Sequence, residues 1–470
     1  MTIETFDVAV IGAGPAGEAA ATTAGFAGKR VVIIEKEPEV GGAGINTGTI
    51  PSKTLRETAL ALSGFRARNI YGVDLSLRRE ATIADFTRHE RNVTRSERAR
   101  ALASLEGFGV TVLTGLASFV DPHTLRVEGP KTGEARFVRA ETIVIATGSS
   151  PFRPKDFPFE DTRIHDSNEV LEIDRLPKRL AVVGAGVIGL EYASTFAAIG
   201  SEVHVIDGRA AILPFLDGEV AAALKKAMEA NGVRFHLEDR VVQCEVPQGG
   251  DVILSLASGA CLPADGVLVA AGRTSNTASL KLEAAGIVPG ERGLLTVDAQ
   301  YRTSVPHIYA AGDVIGHPAL ASTSMEQARV AMCHACGIDL LTKVPSVLPS
   351  GIYTIPEVGM VGETEETLKK QGIDYVAGVA SYASTARGKI IGDTTGFVKL
   401  LFRREDMKLL GAHLIGEQAI ELVHLGLFAI LSGSGLELFR DACFNYPSLA
   451  QTYRMAAYDA LLKSGWHGGR

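Results

Sequence analysis

Gly12, Gly14, Gly17 and Glu35 are matched by Gly184, Gly186, Gly189 and Asp207, each pair 172 positions apart. In each copy a short apolar strand leads into the glycines, Asp7–Ile11 (DVAVI) in the first and Leu180–Val183 (LAVV) in the second. A stretch of small residues with helical character follows, and then a second strand that ends in the acid. The spacing has a physical reading. The first glycine permits the tight turn, the second lets backbone approach a pyrophosphate, and the third allows close helix packing. The helix N-terminus faces the phosphates and the acid takes a ribose diol. Repetition at one offset predicts two dinucleotide sites in one chain and an α/β fold with parallel sheets. At 470 residues the chain is too long for one core, so two to four domains are expected.

Two more apolar strands end in small-residue turns, Thr142–Gly148 (TIVIATG) and Gly266–Gly272 (GVLVAAG). The apolar run Leu180–Gly200 has the length of a membrane span. Its three spaced glycines and Glu191 make it a strand, turn and helix instead. No basic region or cleavage site of a signal peptide opens the chain, and the five cysteines are scattered, so a reducing, cytoplasmic setting is expected. A net charge of −7 argues against nucleic acid as the main partner. The arginine-rich stretch Arg88–Arg100 has Glu90 and Glu97 interleaved and is expected to be a solvated helix side rather than a polyanion site. Cys333 and Cys336 form CxxC deep in a helical stretch, where two small apolar residues are the simpler reading than a dithiol or a metal pair.

Gly41–Lys53 reads GGAGINTGTIPSK, and it leads into the helical stretch LRETALALSG. It resembles the redox-active segment of the flavoprotein disulfide reductases, the family of dihydrolipoamide dehydrogenase and glutathione reductase, whose pattern is GGxCxNxGCIPSK. Gly44 and Thr49 stand here at the two cysteine positions. The resemblance implies a discontinuous FAD domain (1–150 and 275–346), an inserted NAD(P) domain (151–274) and a C-terminal α+β dimerisation domain (347–470). It implies that Gly12, Gly14, Gly17, Glu35 and Lys36 hold FAD, with Gly42, Thr47, Gly48 and Lys53 from the 41–53 segment. Thr147 and Gly148 come from the first strand turn. In IYAAGD (308–313) Gly312 and Asp313 would meet the ribityl chain, with Ala321 at the start of the next helix. Gly184, Gly186, Gly189, Asp207, Arg209 and Gly272 would hold the nicotinamide nucleotide.

A disulfide reductase also needs two thiols and a histidine, and Tyr446 and Gln451 occupy the positions of the family's histidine and its glutamate. Glycine and threonine supply no thiolate, and tyrosine is a poor base at neutral pH. What remains is flavin plus nicotinamide. NTGTIPSKTLRE, VIDGRAAILPFLDGEV and FNYPSLAQTYRMAAYDAL are similar to the soluble FAD-containing pyridine nucleotide transhydrogenases, which typically have threonine and tyrosine at these places. That group usually keeps the first cysteine and an acid where Gln451 stands. The resemblance implies hydride transfer between NADPH and NAD by a ping-pong route, with no membrane partner and a homodimer. Lys53 and Glu191 would pair beside the flavin's reactive nitrogen, with Thr49 near it and Tyr446 contributed by a partner subunit. Asp207 suits the free hydroxyl of NAD, and Arg209 is of the type that takes a 2′-phosphate or is a surface turn residue. A quinone or dye reductase on the same scaffold, and a flavin-binding protein without turnover, remain alternatives.

Overall fold

Strand Ile3–Ile11 is paired on both sides, with Val31–Glu35 and with Ala135–Ile145, all parallel. A strand buried on both faces has no polar side, which is why VVIIE (31–35) is apolar up to its terminal acid. The computed structural model describes residues 3–64, 82–129 and 135–465. They fall into two units, Met1–Thr54 with Arg88–Phe152 and Gly272–Pro345, and Leu55–Thr87 with Arg153–Ala271 and Ser346–Arg470.

The first unit is built on a seven-stranded sheet. Its parallel part runs Thr111–Thr114, Val31–Glu35, Ile3–Ile11, Ala135–Ile145, with Ile308–Ala310 also pairing Ala135–Ile145; Thr124–Glu128 and Leu116–Asp121 continue it antiparallel. Residues alternate between the two faces. Val8, Val10 and Ile33 pack with Ala20, Ala24 and Met332 on one side. Ala9, Ile11, Val32 and Ile34 pack with Phe119 and Leu125 on the other. Helix Pro15–Phe26 buries Ala16, Gly17, Ala19, Ala20, Ala21 and Ala24, and such small side chains bring its axis close to the sheet.

In the second unit the expected strand, turn and helix of the apolar run are Arg179–Val183 and Val187–Ala198. A parallel sheet is ordered Val233–Leu237, Glu202–Asp207, Arg179–Val183, Gly266–Val269, Ile164–His165, beside a three-stranded antiparallel sheet, Val241–Glu245, Val252–Leu256 and Cys261–Ala264. The C-terminal part is an antiparallel five-stranded sheet, Ser350–Ile352, Val358–Gly362, Leu409–Ile415, Phe397–Arg403 and Tyr375–Ser381, with helices Ala419–Leu431 and Gln451–Lys463. The α/β class therefore holds. Among the described residues no helix is long and apolar enough to cross a membrane.

The arginine-rich stretch lies in helix Ile83–Gly107. Arg88, Arg91 and Arg95 are exposed, as expected. Arg98 is not simply solvated, because its Nε donates to Asn46 Oδ1 at 2.7 Å and so props the loop before residue 49. Cys333 is buried and Cys336 half-buried in the last turn of helix Ala321–Cys336. Burial pushes the Cys336 thiol up, and the C-terminal end of a helix disfavours a thiolate, so the pair lacks the setting of a redox dithiol.

A polar network that sequence reading did not find sits in the second unit. Lys399 is fully buried in strand Phe397–Arg403 and binds Asp217 at 2.9 Å, Glu365 at 3.0 Å and Glu219 at 3.1 Å. Asp217 is itself wholly buried and caps helix Gly218–Ala230 through the Glu219 amide. Burial alone would lower the Lys399 pKa; the carboxylates outweigh it and hold the ammonium above its usual value. Replacing Lys399 with Met should strand Asp217 without a counter-ion and cost about 3–5 kcal/mol in denaturant unfolding. A loss below about 1 kcal/mol would show that the network contributes little.

Candidate functional site

The two glycine turns are alike in detail. Gly12 and Gly184 have φ of +99° and +115°. Their amides donate to Ile34 O and Ile206 O at 2.8 Å in both cases. A Cβ on Gly12 would stand 2.5 Å from Ala146 O, and one on Gly184 would meet Ala270 O in the same way. The third glycines, Gly17 and Gly189, face the carbonyls of Gly12 and Gly184 so closely that no side chain fits. The second glycines differ. Beside Gly186 there is open space, and Gly14 has only Gly42 Cα at 3.8 Å. That is the cradle a pyrophosphate requires: two glycines closed by packing and one open to a ligand.

In the first unit Glu35 is 6% exposed and accepts the Ala13 amide at 2.7 Å and the Glu37 amide at 3.0 Å. Lys36 is exposed and pairs with Glu37 at 3.7 Å. The start of the short helix Gly42–Asn46 lies against the turn, with the Gly41 amide on Ala13 O at 2.7 Å and Gly42 close to Gly14. Asp313 accepts the Ser149 hydroxyl at 2.6 Å, and Arg273 donates to Ser149 Oγ at 2.7 Å and stands 3.8 Å from Asp313. The Gly312 amide donates to the buried Gln327 at 2.9 Å, and Asn276 bonds to Thr147 O at 2.9 Å and Gly148 O at 3.0 Å. Ser149, Gln327, Arg273 and Asn276 were missed in sequence, where they carry no motif signal of their own.

Ala321 opens the helix after Asp313 with no side-chain cap, so its first amides are open to a ligand. Thr147 Oγ1 and Thr323 Oγ1 are buried and have no hydrogen-bond partner among the described residues. Orphaned hydroxyls at the strand turn and at this helix start, together with the open Gly14, fit a bound dinucleotide such as FAD.

Helix Thr49–Leu62 begins earlier than LRETALALSG, so Thr49 and Lys53 are helical, and Gly42–Asn46 is a separate short helix. Thr47 and Gly48 connect the two helices and are half-buried. Thr49 is exposed, whereas Lys53 is half-buried with its Nζ on Ser52 Oγ at 3.2 Å. A Cβ on Gly44 would stand 2.6 Å from Pro15 Cγ, so a cysteine at the family's first redox position requires the Pro15 ring or this backbone to shift.

In the second unit Asp207 accepts the Ala185 amide at 2.7 Å and the Arg209 amide at 2.9 Å. The Arg209 guanidinium then grips both carboxylate oxygens, at 2.9 and 2.7 Å. Burial works to raise the Asp207 pKa, but these donors, Arg209 foremost, hold it down to about 2. Glu191 is 5% exposed and accepts the Tyr353 amide at 2.9 Å, and Ser194 Oγ on the same helix accepts the Ile355 amide at 3.1 Å. Glu191 is therefore held and not a surface charge. Gly272 falls in the first unit instead, with φ of +111° and its carbonyl accepting the Phe152 amide at 2.9 Å. Tyr446 is 75% exposed just before helix Gln451–Lys463. No group of three or more potential metal ligands occurs among the described residues.

The family model for pyridine nucleotide-disulphide oxidoreductases matches residues 6–332, and the model for the dimerisation domain of the same family matches residues 348–457. A soluble pyridine nucleotide transhydrogenase of Mycobacterium tuberculosis is 43% identical over 458 residues, covering 97% of each chain. One of Pseudomonas putida is 40% identical over 469 residues, covering 98% of this chain and 99% of the relative. Among solved structures, LpdA of Mycobacterium tuberculosis superposes with a TM-score of 0.88 at 27% identity, over 96% of this chain and 99% of that one. The HOCl-induced flavoprotein disulfide reductase of Escherichia coli gives 0.87, also at 27%, over 96% and 99%.

The glycine geometry separates packing from binding. Gly189→Ala should lower stability by about 1–3 kcal/mol through overpacking. Gly186→Ala should leave the melting temperature within about 2 °C yet weaken NADH binding by calorimetric titration at least about tenfold. Equal effects of the two changes would contradict the assignment of Gly186 to the ligand.

Proposed function

The chain is an oxidoreductase of the pyridine nucleotide-disulphide oxidoreductase family, and from that premise we propose that it transfers hydride between NADPH and NAD by way of bound FAD. The observation that carries the reading is the Asp207–Arg209 pair. An acid suits the 2′-hydroxyl of NAD and an arginine suits the 2′-phosphate of NADP, so one site can serve both nucleotides in turn. Bound FAD would supply a hydride acceptor that reduction by one nucleotide fills and oxidation by the next empties.

The residues around that chemistry have assigned tasks in this reading. Gly12, Gly14, Gly17, Glu35 and Asp313 hold the flavin nucleotide in the domain formed by 1–150 and 275–346. Gly184, Gly186, Gly189 and Asp207 hold the nicotinamide nucleotide in domain 151–274. Lys53 and Glu191 would serve the reacting ring, as the resemblance implies, and the Tyr353 amide keeps the Glu191 carboxylate in place. With Gly44 and Thr49 at the redox-cysteine positions, no thiol drains the electrons, so the acceptor enters the site the donor has left. Domain 347–470 forms a homodimer, and the partner covers the exposed Tyr446.

The test is an anaerobic assay of the yellow holoprotein with NADPH as donor and thionicotinamide-NAD as sole acceptor, beside a quinone. Reduction of the thio analogue faster than the quinone is expected. Fast quinone reduction with negligible transfer to the analogue would replace the reading with a quinone reductase, and neither activity would leave a flavoprotein without turnover. The pH dependence is also set. A depressed carboxyl keeps its charge above its unfolded pKa and loses it only as pH falls through about 2. NADH affinity should therefore be flat from about pH 5 to pH 9, and a titration in that window would contradict an ionised Asp207 as the ribose partner.

A further inference from the structure

The duplicated units allow the two acids to be compared as internal controls. Glu35 and Asp207 each accept one amide from their glycine turn and one from two residues on, with the same geometry. The chain just past the neighbouring strand then adds a third contact. Its amide to the acid's own carbonyl comes from Gly115 in the first unit, at 2.8 Å to Glu35 O, and from Asp239 in the second, at 3.3 Å to Asp207 O. At the matching places the first unit carries Glu37 and Leu116, and the second carries Arg209 and Arg240. FAD has no 2′-phosphate, and both positions are without a cation in its unit. In the second unit both are arginine.

The turn holding Arg240 is fixed. The Glu238 amide donates to Arg209 O at 3.2 Å, with Glu238 in the left-handed region at φ +55°. The Asp239 carboxylate is taken up by the Ser258 amide and hydroxyl and by the Arg240 amide. Of the two acids of this turn, only Glu238 is exposed. Arg240 is exposed, and its guanidinium makes no hydrogen bond or ion pair to a described residue. Arg209, by contrast, is committed to both oxygens of Asp207.

We propose that Arg240 is a specificity-determining residue, the second cation of a subsite for the nucleotide 2′-phosphate. The inference rests on the reading that this site accepts NADP(H). Arg209 must leave Asp207 to reach a phosphate, and the carboxylate then repels the new dianion. Arg240 offsets that repulsion without giving up any bond of its own, whereas NAD, bound through its diol to Asp207, makes no use of it.

The test is calorimetric titration of the holoprotein with 2′,5′-ADP and with 5′-AMP, probes that need no turnover. Arg240→Gln should weaken 2′,5′-ADP about tenfold and 5′-AMP less than about twofold, and Arg240→Lys should recover part of the loss. Unchanged 2′,5′-ADP binding in Arg240→Gln, or an equal loss for both probes, overturns the role of Arg240 and leaves the hydride-transfer reading intact. If the unaltered protein binds 5′-AMP and not 2′,5′-ADP, both the subsite and the NADP(H) reading fall.

Discussion

In each half of the duplication a carboxylate at a strand end accepts an amide from the turn of the strand beside it, Glu35 from Ala13 and Asp207 from Ala185. Much else in the two nucleotide sites depends on this bond. It satisfies an acid, buried at Glu35 and half-buried at Asp207, that would otherwise be costly. It fixes the glycine turn at its positive φ, and so directs the amides of the following helix at one point. It also sets where the acid's other oxygen faces, which is where we propose that a ribose is read. The glycines serve the same arrangement from below, two being packed against carbonyls and one left open.

How far the sequence discloses this depends on the kind of contact. The duplication, the strand–helix order and the acids were legible because they are local patterns repeated at one offset. The buried parallel strands were legible because a strand covered on both faces must be apolar throughout. Other features join residues far apart in the chain through single side chains. Gln327 receives the Gly312 amide, Ser149 and Arg273 hold Asp313, the Tyr353 amide holds Glu191, and Lys399 joins Asp217 to Glu365. No periodicity announces such pairs. The helical stretch read from Leu55 onward in fact begins at Thr49, and the place of Arg98 is not legible because nothing in its neighbourhood names Asn46 as a partner.

The segment that names the family is also where this chain departs from it. Gly44 and Thr49 replace the cysteines, and the close approach of residue 44 to Pro15 makes the first replacement part of the packing of the turn. Of the five cysteines, Cys333 is buried, the thiols of Cys336 and Cys244 are pushed up by burial, the latter to about 11, and the exposed Cys261 and Cys443 stand far apart in the chain. A scaffold with two dinucleotide cradles and no reactive thiol in its usual place is suited to reactions in which nucleotides are both donor and acceptor, which is how we read it.

That claim is tested most directly by one initial-rate matrix. Transfer from NADPH to thionicotinamide-NAD is measured with both nucleotides varied, in protein whose five cysteines are all replaced with serine. The account predicts parallel reciprocal plots and rates within about twofold of the unaltered protein, because one site is used twice and no thiol takes part. Converging plots, or loss of transfer with the cysteines, would contradict it.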